Sequence, residues 1–166
     1  MLGVWHFSFT VSDIDGAVDF YTRILGFELI HTQAQSNEYT RRLVGYPDAD
    51  LRVAQLVVPG QPRGLSTHDL ELVQYLAPRG DRGDDNIKNP GQGHLALCIE
   101  DMAAEYERLR AAGVEFFSEP NYITAGANEG GYTVYFWGFD RIVHELVQPP
   151  RHRLDALRAI PGGAQG

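Results

Sequence analysis

The chain closes two successive stretches with the same four letters. LELVQ occupies residues 70–74 and HELVQ occupies 144–148 of a 166-residue sequence. Four shared letters weigh little alone. They matter because each copy ends the same ordered series. HFSFTVSDIDGAVDFYTRILGFEL opens the first series at His6, and HLALCIEDMAAEYERLRAAGVEF opens the second at His94. Both begin with a histidine, alternate apolar and polar residues, reach an aspartate (Asp13, Asp101), run through a helical pattern and stop at a glycine (Gly26, Gly113). A repeat of this kind constrains the fold more than any composition value, because each copy must be one supersecondary unit built to the same plan.

The alternation assigns faces. Phe7, Phe9 and Val11 fall on one side of the first strand, with His6, Ser8 and Thr10 on the other. Leu95, Leu97 and Ile99 oppose His94, Ala96 and Cys98 in the same way. The large apolar face is expected to pack under the following helix and the small face to line a cavity. Ser12 or Asp13 is placed to cap the first helix, whose apolar stripe is Ile14, Ala17, Val18 and Tyr21. Met102, Tyr106 and Leu109 form the second stripe. Strand-like segments follow at 27–33, 51–58 and 68–76, then at 114–118, 132–137 and 142–148.

The division that follows is a first βαβββ module over 1–76, a linker over 77–93, a second module over 94–149 and a tail over 150–166. The linker, APRGDRGDDNIKNPGQG, has too few apolar residues for a core of its own. In the tail, Arg151, Arg153 and Arg158 interleave with Leu154, Leu157 and Ile160, the pattern of a short surface helix.

In the last strand of each copy, Thr67, Asp69, Glu71, Val73 and Tyr75 share one side, as do Val143, Glu145 and Val147. Leu70, Leu72 and Leu146 take the core side. Two glutamates and two histidines therefore point away from the core. A buried carboxylate is costly to ionise alone, and four such groups make sense around a cation. Asp69 shares the side of Glu71, but the repeat aligns Glu71 with Glu145.

With a net charge of −8, the chain is not built to grip nucleic acid or anionic lipid. No apolar run approaches the ~20 residues of a membrane span, and the single cysteine, Cys98, allows no internal disulfide. A cytoplasmic protein is expected.

These segments, together with LELVQY and VYFWGFDRIVHELVQPP, resemble the vicinal oxygen chelate superfamily of glyoxalase I, methylmalonyl-CoA epimerase, extradiol dioxygenases and bleomycin-resistance proteins. The resemblance covers about residues 3–149. It implies an α+β fold of two tandem βαβββ modules whose sheets form an open half-barrel around a metal cleft. It also implies that His6, Glu71, His94 and Glu145 are ligands of a divalent cation (nickel, cobalt, manganese, iron, zinc or magnesium) and that Glu145 shuttles a proton. The four-ligand set resembles the glyoxalase and epimerase branch. The implied activity is a metal-dependent lyase or isomerase acting, through an enediolate-type intermediate, on a small molecule with neighbouring oxygens. The rival readings are an iron-dependent ring-cleaving dioxygenase and a non-catalytic antibiotic-sequestering protein. A homodimer is implied too.

The remaining candidates are weaker. No residue matches a separate catalytic base outside the ligand set, and Glu38 is only a weak candidate for one. His31, His68, His144 and His152 read as structural, and His144 should face opposite to Glu145. Tyr39, Tyr75, Tyr122, Tyr132 and Trp137 are candidate pocket aromatics, though most aromatics in such a chain are core. Cys98 reads as a small packing residue. Family members often carry Asp-Pro-Asp-Gly before the last strand. Here Arg141 takes the place of that glycine, and it is expected to reach the cleft mouth or a partner subunit. Loops 33–50, 59–67 and 118–131 are expected to line the pocket.

Overall fold

The computed structural model describes residues 1–61 and 69–159. His68, Thr67, Ile160 and the last residues of the tail lie outside the described residues, as does most of loop 59–67. The chain divides into two compact units, Met1–Gly83 and Asp84–Gly166.

The first unit runs β1 (His6–Thr10), α1 (Ile14–Asp19), β2 (Glu28–Gln35), α2 (Glu38–Val44), β3 (Asp50–Val57) and β4 (Asp69–Ala77). Its four-stranded sheet has the order β1-β4-β3-β2. The first and last strands are parallel neighbours, with Ser8 opposite Glu71, and the other pairs are antiparallel. Asp13 caps α1, its carboxylate accepting from the Asp15 amide at 3.2 Å. The helix continues as a π-helical turn, Phe20–Ile24, before Gly26 leaves it at φ +78°. Ile14, Ala17 and Tyr21 are buried against a sheet face that contributes Leu70 and Leu72. Burying a side chain the size of Ile14, Leu70 or Leu72 stabilises the fold by about 1.5–3 kcal/mol.

The second unit repeats the plan: β5 (Leu95–Cys98), α3 (Met102–Ala111), β6 (Glu115–Phe116), β7 (Asn121–Tyr122), β8 (Tyr132–Trp137), β9 (Val143–Gln148) and the tail helix α4 (Arg151–Arg158). Its sheet order is β5-β9-β8-β6, with β7 also on β8. The parallel pair β5–β9 sets Ala96 opposite Glu145, the same register as Ser8 and Glu71. The place of the single strand β2 is taken by two short strands, β6 and β7, both antiparallel to β8. Asp101 caps α3 by accepting from the Ala104 amide at 3.0 Å.

The glutamine that ends each ELVQ now has a function. Gln148 Oε1 accepts from the Met102 amide at 2.7 Å, and Gln74 Oε1 accepts from the Ile14 amide at 3.3 Å. Gln74 Nε2 also donates to the Ser12 carbonyl at 2.7 Å. Ile14 and Met102 are the first residues of their helices, where the amides have no partner within the helix. The last strand of each unit thus ties down the helix that follows its first strand.

Several expectations need correction. Helix α2 lies in the stretch read as loop 33–50, with Asn37 as its cap and Gly45 as its left-handed end. The apolar faces of β1 and β5 are only partly covered: Phe7 is 46% exposed, and Leu95 and Leu97 are half-buried. Both end their sheet's strand order, with a strand neighbour on one side only among the described residues. Cys98 is exposed rather than packed, for the same reason. Of the candidate pocket aromatics, Tyr39, Tyr122 and Tyr132 are exposed. The turn before β9 keeps a left-handed backbone without glycine, at Asp140 (φ 53°) and Arg141 (φ 58°). The Arg141 side chain is turned back on its own unit, bonding Asp85 at 2.9 Å and lying 4.0 Å over the Trp137 ring.

Candidate metal centre

Each unit brings one histidine to one glutamate. In the first, His6 opens β1 and Glu71 stands two residues into the adjacent parallel strand β4. His6 Nε2 lies 3.6 Å from Glu71 Oε1. The Ser8 hydroxyl donates to the same oxygen at 3.3 Å. In the second, His94 immediately precedes β5, and its Nε2 lies 3.0 Å from Glu145 Oε2. The Thr133 hydroxyl donates to Glu145 Oε1 at 2.5 Å. Both carboxylates are 17% exposed, whereas the imidazoles are 36% and 41% exposed. The carboxylates sit deep in each pair, and the rings stand at its rim.

Two donors bound at right angles to a cation at about 2.1 Å stand about 3.0 Å apart. The His94–Glu145 pair has that spacing, and the His6–Glu71 pair is somewhat wider. A proton on Nε2 bridges the same gap when no cation does. Chemically, each pair offers an imidazole nitrogen and a carboxyl oxygen, donors that suit a borderline divalent metal. Among the described residues no group of three or more metal-ligating side chains gathers in one place. What the structure brings together is His6 with Glu71 and His94 with Glu145.

The other candidates separate from these pairs. Asp69 is buried at the start of β4, opposite His6 in register, while the close contact of His6 is with Glu71. Glu38 is exposed in the first turn of α2. His31 and His152 are exposed. His144 is fully buried on the face opposite Glu145, its ring edge-on to Phe136 at 5.3 Å and its Nδ1–H donating to the Val143 carbonyl at 2.8 Å. Burial lowers its pKa to about 4, so the ring is neutral at neutral pH.

Sequence reasoning missed Tyr135 and Thr133. Tyr135 is the antiparallel partner of Glu145, and its ring lies 5.0 Å from that of His94. Burial, helped by the charge of Glu145, pushes its phenol up and keeps it a hydrogen-bond donor. The alternation of β8 held the signal, since Val134 and Phe136 are core and Thr133 and Tyr135 must face the other way. What the alternation lacked was the register that puts these two beside Glu145.

The comparisons with known proteins agree with this architecture. The family model described as Glyoxalase/Bleomycin resistance protein/Dioxygenase superfamily matches residues 3–133. A 2-epi-5-epi-valiolone epimerase from Actinomyces is 36% identical over 156 residues, spanning 90% of this chain and 80% of the relative. A lactoylglutathione lyase from Haemophilus influenzae is 28% identical over 133 residues, 79% of each chain. The crystal structure of a glyoxalase family protein from Bacillus cereus superposes with a TM-score of 0.75 at 20% identity, over 90% of this chain and 95% of that one. Two open mixed sheets, each closed by a parallel first and last strand, and relatives that are an epimerase and a lyase lead to one conclusion: the chain belongs to the Glyoxalase/Bleomycin resistance protein/Dioxygenase superfamily.

Proposed function

We propose that the protein is a metal-dependent isomerase that moves a proton at the carbon beside a carbonyl, with His6, Glu71, His94 and Glu145 as the donors for one divalent cation. The carrying observation is the His94–Glu145 pair, whose spacing is that of adjacent ligands and whose carboxylate has its second oxygen on a hydroxyl. The cation, when bound, would polarise the substrate carbonyl and favour loss of the neighbouring proton. Glu145, once loosened from the cation, takes that proton on its carboxylate, the general-base role that its shielded position favours, and a proton delivered to the opposite face of the same carbon completes the inversion. Tyr135, held protonated beside it, offers a donor to a substrate oxygen.

The epimerase relative, at higher identity than the lyase, favours isomerisation. The test uses the two molecules named in those relatives, 2-epi-5-epi-valiolone and lactoylglutathione, with exchange of the α-hydrogen followed in deuterated water. Exchange and epimerisation of the first supports this reading. Turnover of the second alone makes the protein a lyase, and a metal-replete protein that exchanges neither overturns the proposal. Glu145→Gln, assayed with metal content measured in the same samples, should stay about 10²–10⁴-fold slow at full occupancy. Near wild-type turnover would remove its base role. Glu71→Gln should weaken metal binding first and turnover less.

The same reading expects a cytoplasmic homodimer. Its support is the edge strand β1, which carries Phe7 at 46% exposure beside Trp5 at 64%. A light-scattering mass near one chain would contradict it.

A further inference from the structure

The two glutamates each receive a hydroxyl, but from opposite neighbours. Glu71 receives it from Ser8, across the parallel strand β1. Glu145 has Ala96 at that position and receives its hydroxyl from Thr133, on the antiparallel strand β8. The counterpart of Thr133 in the first unit is Val53: Val53 pairs with Val73, as Thr133 pairs with Val147. The hydroxyl is thus present in both units although the residue that supplies it has changed.

The contacts at Glu145 divide its oxygens. Oε1 is on Thr133, and Oε2 is beside His94 Nε2. Thr133 has a single hydroxyl proton and two acceptors in reach, and the carboxylate oxygen at 2.5 Å is nearer than the Leu146 carbonyl at 3.0 Å, so the proton is given to Glu145. A carboxylate held by one oxygen presents the other at a set angle, and such outer partners orient ligands and tune their affinity. We propose that Thr133 is a positioning residue: it anchors Glu145 Oε1 so that Oε2 is presented, with His94, to the cation. This rests on Glu145 being a ligand, as argued above.

The test is zinc affinity, measured by competition with a chromophoric chelator, on the full chain and its variants. Thr133→Val removes the hydroxyl and keeps the shape, and Val53 shows that the strand position accepts valine. It should weaken zinc binding about tenfold, the lower end for loss of an outer-sphere partner. Thr133→Ser should restore affinity. So should Ala96→Ser in the Thr133→Val background, because it installs the arrangement of the first unit. With a confirmed substrate, Thr133→Val should lower kcat more than it raises KM. Unchanged zinc affinity in Thr133→Val, with wild type binding normally, overturns this proposal alone. So does Thr133→Ser binding as weakly as Thr133→Val, since packing and not the hydroxyl would then be responsible. A wild type that takes up no zinc, nickel or cobalt overturns the metal reading and this proposal together. If Thr133→Val fails to fold, Thr133→Ala carries the same comparison with the serine variant.

Discussion

Replacing His144 by Leu should remove a defined part of the protein's acid sensitivity. His144 is fully buried, and its pKa is lowered from 6.5 to about 4. Burial is the main cause, and the charge of His94 adds to it. In the unfolded chain the ring titrates near its ordinary value. Above pH 6.5 it is neutral in both states and contributes no pH dependence. Between pH 6.5 and 4 the unfolded state binds the proton and the folded state does not, so stability falls as pH falls. The full loss, reached below pH 4, is about 3 kcal/mol. Between pH 7 and pH 5 the expected share is about 2 kcal/mol. Leucine is the natural replacement, because Leu70 holds the corresponding place in the first unit and is 2% exposed. Any cost of losing the bond to the Val143 carbonyl applies at both pH values and cancels in the difference. The assay is urea unfolding with chelator present, in a Trp5→Phe background, so that Trp137 alone reports on the second unit. Wild type should lose about 2 kcal/mol more than His144→Leu between pH 7 and pH 5. Equal losses would show that His144 is not a buried neutral base.

Gly131→Ala should be among the most damaging small substitutions: an added Cβ would stand 2.2 Å from the Gln148 carbonyl oxygen, backbone that cannot step aside. Thermal unfolding should show a loss of about 2–3 kcal/mol, and a near-neutral result would contradict the close approach of this loop to β9. Gln148→Leu leaves the Met102 amide without its 2.7 Å acceptor and should cost about 1–2 kcal/mol, read as an earlier transition in the same assay. At the turn, Arg141→Ala should be less stable than Arg141→Gly by about 1 kcal/mol, because both lose the Asp85 bond and the Trp137 stack but only glycine takes φ 58° freely. Equal stabilities would mean that the turn relaxes.

The repeat made the doubled strand–helix–strands plan readable, because each element has its own local signal. Asp13 and Asp101 cap, Gly26 and Gly113 stop, and Leu70, Leu72 and Leu146 alternate into the core. Helix α2 was not readable: seven residues, EYTRRLV, are too few for a helical period to stand out, and Tyr39 and Leu43 stay exposed. The partners of the glutamates were invisible for a different reason. Nothing local to Thr133, Tyr135 or Ser8 says which residue lies opposite on another strand. That information resides in pairings such as Tyr135 with Glu145. The exposure of Phe7 and Cys98 likewise depends on β1 and β5 being edges, a property of strand order that the residues themselves do not carry.

The parallel pairing of first and last strands also sets an order of events for the growing chain. His6 and Ser8 are made early, but the strand that gives them Glu71 is the last of its unit, with Ser8 and Glu71 63 positions apart. His94 waits similarly for Glu145, 51 positions on. Meanwhile β2 with β3, and β3 with β4, join near neighbours, whose loops close at lower entropic cost. The antiparallel strands are therefore expected to zip first and the His–Glu pair to form when the module closes. A chain cut before residue 143 would keep His94, α3 and β8, but it would have no Glu145 for that histidine and no Gln148 for the helix amide. Each ELVQ segment is the closing stroke of its unit: one strand supplies the acid, the core leucine and the helix tie together.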